Sequence, residues 1–164
     1  MDADVTVFPA NVVSLIEARA IQTIDPANTL VQTTPVNTMS VGQVVAILPV
    51  GWDPVEGPEI GQHRNPNESV IQSYTIMIQA LVSDFNEGAG INRLSLLSRR
   101  VRNMLNRDQV LHRAMEQLVC IEDDVREHFQ ALSVVNQRFM VTETDSDGSL
   151  LLSVTECRLT TQVH

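Results

Sequence analysis

The chain has 164 residues, a net charge of −9 and 43% hydrophobic residues, enough apolar material for one folded domain without disulfide or metal staples. Its pI near 4.7 weighs against simple attraction to nucleic acid, and no apolar run reaches the roughly 18 residues of a membrane helix. The acidic start, Met1 to Asp4, lacks the basic opening of a secretory signal, so a soluble cytoplasmic chain is expected.

In chain order, residues 8–22 read as a helix. Pro9 suits the first turn, where its missing N–H costs nothing. Val12, Leu15, Ile16, Arg19 and Ala20 repeat at helical spacing, with Arg19 able to bury its stem. Asp25-Pro26-Ala27-Asn28 then turns the chain. A strand follows around Leu30–Thr34, stopped by Pro35. Val41–Val50 holds the continuous apolar run Val44–Leu48, which is of strand length, and Gly51-Trp52-Asp53-Pro54 is expected to break it.

Residues 51–68 form a long segment punctuated by Pro54, Gly57, Pro58, Gly61 and Pro66. Such a stretch is either a solvated insertion or an arm that grips a neighbour. Trp52, the only tryptophan, suits an interface anchor, and Glu56, Glu59 and Arg64 offer charges for the same contact. Deleting Gly57–Asn65 is expected to spare the fold and weaken assembly.

Glu68–Ser83 is the stretch around which the rest is organised. Read with period two, Val70, Tyr74, Ile76, Ile78, Ala80 and Val82 share one side, broken only by Gln72. That alternation, rich in β-branched residues, is a strand with one dry face. It would run about 45–50 Å, well beyond the usual five or six residues. Such surplus length points to partner subunits.

Asp84–Gly90 reads as a flexible turn and Ile91–Arg107 as the strongest helix. Its apolar stripe is Ile91, Leu94, Leu97, Val101 and Met104 or Leu105. Arg93, Arg99, Arg100, Arg102 and Arg107 cover the remaining surface. A basic helix invites a nucleic-acid reading, but without interleaved aromatics a solvated face or salt bridges to an adjacent subunit are expected instead. The chain contains no lysine; arginine's flat fork suits interfacial pairs, and a biased genome composition would produce the same absence.

A second helix is expected from Gln109 to about Val119. Glu122-Asp123-Asp124 reads as a solvated acidic patch, since consecutive acids splay apart rather than converge on a cation. Val134–Thr144 and Ser149–Thr161 read as a hairpin across Asp145–Gly148, with Leu150, Leu152 and Val154 on one face and Leu151, Cys157 and Leu159 on the other. Neither the four histidines nor Cys120 and Cys157 show ligand spacing. Both cysteines read as buried thiols. No metal and no cofactor is expected.

Helix, strands around a long loop, a turn, one or two helices and a closing hairpin together make an α+β fold, with helices on one face of a mainly antiparallel sheet. The layout resembles the tail terminator proteins of long-tailed bacteriophages. The likeness is carried by Pro9–Ile21, by the strand pair Val41–Val50 and Ser69–Ser83 around its loop, by the helix Leu94–Arg107, and by the hairpin Arg138–Thr161. It is architectural and spans nearly the whole chain.

The resemblance implies a non-enzymatic virion protein at the neck, assembled in the host cytoplasm. It would form a homo-oligomer, a six-membered ring that caps the tail tube and joins it to the head connector. The implied partners are a tail-tube protein and a head-side connector or stopper protein. Phage DNA would slide through an acidic channel without specific binding, and no membrane is involved. Candidate interface residues are Trp52, Glu56, Glu59, Arg64, Arg93, Arg99, Arg100 and Arg102. Other connector rings, tail-tube subunits, a hydrolase built on Cys120 or Cys157, and a nucleic-acid module built on the arginine helix are the alternatives.

Overall fold

The computed structural model describes residues 7–36, 42–53, 70–122, 124–145 and 148–164. In chain order these form α1 (Val7–Thr23), β1 (Thr29–Gln32), β2 (Gln43–Asp53), β3 (Val70–Asp84), α2 (Glu87–Arg107), α3 (Gln109–Glu116), β4 (Val119–Glu122), β5 (Val125–Asp145) and β6 (Gly148–Val163). The six strands make one sheet in the order β1-β2-β3-β6-β5-β4. β1 runs parallel to β2, and every other neighbouring pair is antiparallel.

The period-two pattern of β3 does what its chemistry requires. Tyr74, Ile76, Ile78, Ala80 and Val82 are buried and enter the core. Opposite them on β6 stand Leu159, Cys157, Thr155, Ser153 and Leu151, all buried as well. On the other side of β3, Val45 and Ile47 of β2 pair with Ala80 and Ile78. These rows form the sheet face on which the helices lie.

α1 sets Val12, Ile16 and Ala20 into that face, and α2 adds Leu94, Leu97, Val101, Met104 and Leu105. Leu111 and Met115 of α3 close the far end. Ser98 of α2 meets Ser153 of β6 with their hydroxyls 2.7 Å apart, both side chains buried. Two small residues there let the helix approach the sheet closely, and Gln137 Nε2 of β5 ties the spot down by donating to the Ser98 carbonyl (3.2 Å) and Thr155 Oγ1 (2.8 Å).

Several sequence expectations need correction. Gly51-Trp52-Asp53 does not break β2, because a bulge between Pro49 and Gly51 absorbs the irregularity and pairing continues to Asp53. Helix α2 begins at Glu87, so Gly88, Ala89 and Gly90 belong to it; the Asn86 side chain accepts from the Ala89 N–H and caps it. Ile91 is not part of the buried stripe but 47% exposed. The second helix ends at Glu116 rather than about Val119, where β4 already begins, and β5 begins at Val125 rather than Val134. Of the acidic run, Glu122 ends β4, and Asp124, just before β5, takes a left-handed φ of 67°.

Candidate functional site

Three segments, the turn at Asp25, β1 and α2, converge on Gln43, the first residue of β2, which is 5% exposed. Its Nε2 donates to Asp25 Oδ2 (3.2 Å) and Thr29 Oγ1 (2.9 Å), and its Oε1 accepts from Arg93 Nε at 3.1 Å. Arg93 Nη1 also reaches Asp84 Oδ2 at 3.0 Å. The Asn86 backbone N–H, followed by the Arg93 guanidinium, holds the Asp84 carboxyl below its ordinary value. Arg100 stands 3.9 Å from Asp25 Oδ2, the length of a weak surface pair. Asp25, Gln43, Arg93 and Arg100, together with Asn28, Gly42, Leu96 and Leu97, line an open polar cleft of about 450 Å³.

The arginines of α2 therefore divide. Arg93 and Arg100 turn toward the sheet corner and are engaged within the chain. Arg99 and Arg102 are exposed and present a pair of positive charges on the outer face of the helix. The sequence expectation of one solvated basic face is corrected for Arg93, which is a polar clamp between β2, β3 and α2. Trp52 lies on β2 opposite Tyr74 in the ladder, while its side chain, and Glu56, Glu59 and Arg64, lie outside the described residues.

At the other end of the sheet, Glu127 of β5 receives a hydrogen bond from Thr161 Oγ1 (2.5 Å), and the Tyr74 hydroxyl lies 2.6 Å from the same carboxylate oxygen. Cys157 is buried as expected, whereas Cys120 of β4 is only partly buried and pairs with Glu127 in the ladder. Burial, reinforced by that carboxylate, raises the Cys120 thiol to about 11, and burial raises Cys157 to about 12. Neither sulfur is a thiolate at neutral pH, which is the opposite of what a cysteine nucleophile needs. Among the described residues, no group of His, Cys, Asp and Glu could hold a metal ion. Among them, too, no helix is long and apolar enough to cross a membrane.

A third feature is apolar. Beside α2, Ile91, Leu94, Phe139, Met140 and Leu151 line a groove of about 370 Å³. Phe139 and Met140 are 54% and 42% exposed, and Phe85, in the turn before α2, is 85% exposed. Neighbouring exposed apolar side chains of this size mark association surfaces more often than isolated ones do. Among the described residues, β5 is covered on its outer side only by four residues of β4, opposite Val125–His128.

No family model matches the chain, and no curated protein matches it. Among solved structures it is similar to a chain of "Virion of native gene transfer agent (GTA) particle", with a TM-score of 0.55 and 11% identity over 99% of both chains. The two chains share a fold. A second solved chain aligns at a TM-score of 0.35 and 9% identity, over 89% of this chain and 94% of its own, and carries no argument.

What sequence reasoning missed is the Gln43 clamp and the groove. Asp25, Gln43, Asp84 and Arg93 lie in four separate segments, and no local pattern joins them. Phe139 and Met140 are apolar neighbours on a strand, where alternation alone would send only one of the two out of the core, yet both are exposed.

Proposed function

We propose that the chain is a non-enzymatic structural protein of a phage-like virion, a tail terminator that assembles as a ring, six-membered by the resemblance, at the top of the tail tube. The observation that carries this reading is the likeness to a gene-transfer-agent virion chain over 99% of both chains. The architecture agrees with the resemblance carried by the helices, the loop-bearing strand pair and the closing hairpin. The sheet supports it too, because β5 displays more pairing edge than the described residues cover.

The physical role follows from charge and edge. A subunit of net charge −9, repeated round a channel, repels DNA, so the genome slides without sticking. Exposed Arg99 and Arg102 meet an acidic surface on the tail tube or on a neighbouring copy. In this reading the protein works at the neck of the particle, between tail-tube protein and a head-side connector or stopper, and is assembled in the host cytoplasm.

Removal of the gene tests the placement. Tails of uncontrolled length, or tails not joined to heads, support the terminator. Full heads that leak DNA would assign the chain to a stopper ring instead, and missing tails to a tube subunit. Particles unchanged in form and number would contradict a structural role altogether.

A further inference from the structure

The two margins of the sheet complement each other. Following the ladders across all strands, Leu30 of β1 is level with Val44, Leu81, Leu152 and finally Met140 of β5. Val31 is likewise level with Val45, Ala80, Ser153 and Phe139. β1 thus projects from one margin at the height where, among the described residues, the opposite margin is bare: β4 pairs only with Val125–His128, and 129–145 have β6 on one side alone. Direction fits as well. β1 runs with β2, and three successive antiparallel pairings bring β5 into the opposite sense.

We propose that β1 of a second copy of this chain adds to the bare margin of β5 at Arg138–Val141, continuing the sheet from subunit to subunit. This rests on the ring reading given above and names the contact that closes the ring. A rotation about an axis along the strands preserves strand sense, so the incoming β1 lies antiparallel to β5, the commoner pairing. The contact is head-to-tail, which repeats until the rotation closes.

Side-chain chemistry agrees with the level junction. Leu30, 45% exposed, comes opposite Met140, 42% exposed, and Val31 comes opposite Phe139, 54% exposed and lining the groove beside α2. Gln32 comes level with Arg138. Three exposed apolar side chains thereby lose their water together. The alternation of faces permits only even shifts from this register.

The remaining margin of β2 is a poorer candidate. Beyond Ala46, where pairing with β1 stops, it carries Pro49, which has no N–H to donate, and a bulge between Pro49 and Gly51. Both are devices that discourage strand addition. From Asn136 to Val141, by contrast, β5 runs without a register shift and without proline.

Cysteine pairing tests the contact in the full chain, with Cys120→Ser removing the competing half-exposed thiol. Directly opposed strand residues lie within disulfide reach. The double variant L30C/M140C, oxidised mildly in solution and in particles, is expected to give a ladder of covalent multiples. L30C mixed with M140C should give dimers that contain one of each. M140E is expected to weaken assembly roughly tenfold, equivalent to about 1.4 kcal/mol, without lowering the melting temperature. An unmodified chain that assembles while L30C/M140C forms no intersubunit disulfide, or M140E assembling normally, would overturn this contact and leave the ring reading standing. A chain that is monomeric both in solution and in particles would overturn both.

Discussion

Arg19 and Asp108, 89 residues apart, meet in a two-pronged contact: Nε at 3.0 Å and Nη2 at 2.9 Å from the same carboxylate oxygen, Oδ2. The second oxygen of Asp108 accepts the Leu111 N–H at 3.0 Å, capping α3, while the Asp108 N–H closes α2 on the Met104 carbonyl at 3.2 Å. One residue therefore ends one helix, starts the next, and pins α1 to both.

Asp108→Ala should cost about 2 kcal/mol, from a lost N-cap and a lost charged hydrogen bond. Asp108→Asn keeps the cap acceptor and weakens the pair, so about half that loss is expected. Urea midpoints of the two variants check the ordering. Equal losses would show that the helix cap contributes nothing separate.

Acid should loosen the same corners. For Asp108, burial pushes the carboxyl up, but the Leu111 N–H and Arg19 outweigh it and the net shift is downward; Asp84 is also lowered. A carboxyl depressed in the folded state contributes stability above its unfolded value of about 4, and loses it as pH falls through the folded value. Melting temperature should therefore decline as pH drops below about 4. Arg19→Ala and Arg93→Ala should each flatten that decline, as melting curves between neutral and acid pH would reveal.

Gly90 has a packing reason. A Cβ there would lie 2.6 Å from Leu151 Cδ1 and 3.1 Å from Asp84 Cβ, and Leu151 is itself 1% exposed with little room to retreat. Alanine normally improves a helix interior by about 1 kcal/mol over glycine. At this position overpacking should reverse the sign, and Gly90→Ala is expected to destabilise by about 1–2 kcal/mol net. A raised melting temperature would show that Leu151 yields.

Thiol chemistry separates the structural reading from a cysteine hydrolase. With Cys120 held at about 11 and Cys157 at about 12, alkylation at neutral pH should be much slower than for a free thiol, and slowest at buried Cys157. Replacing both cysteines by alanine should leave particle assembly intact. Rapid labelling at pH 7, or loss of assembly with a folded double variant, would contradict this.

The exposed arginines bear on partners. Arg99→Glu with Arg102→Glu should leave stability within about 0.5 kcal/mol, since both side chains project from α2 into solvent, yet weaken association with an acidic partner surface. Sedimentation of mixtures at low and high salt would measure it. Steep salt-dependent DNA binding by the original chain, abolished in the variant, would favour the nucleic-acid alternative.

Legibility followed regularity. β3 was readable because Tyr74, Ile76, Ile78, Ala80 and Val82 keep strict alternation against buried neighbours. The first half of β5 was not, because bulges lie between Phe129 and Ala131 and between Val134 and Asn136. Each extra residue resets the alternation, so Phe129, Leu132, Val134 and Gln137 all oppose core-facing residues of β6 at spacings of three, two and three. On paper that spacing imitates a helix. The start of α2 was hidden differently: Gly88 and Gly90 read as a turn, whereas the Asn86 cap and close packing against Leu151 hold them helical. Arg93 carried no mark distinguishing a clamp from a surface charge.

The proposed ring requires that copies of this chain assemble with one another in a virion. Its most direct measurement is the mass of the chain after chemical cross-linking in purified particles. Successive multiples of the 18.2 kDa chain, ending abruptly at the closed ring, six by the resemblance, are expected. A chain recovered only as monomer, or absent from particles, would contradict it.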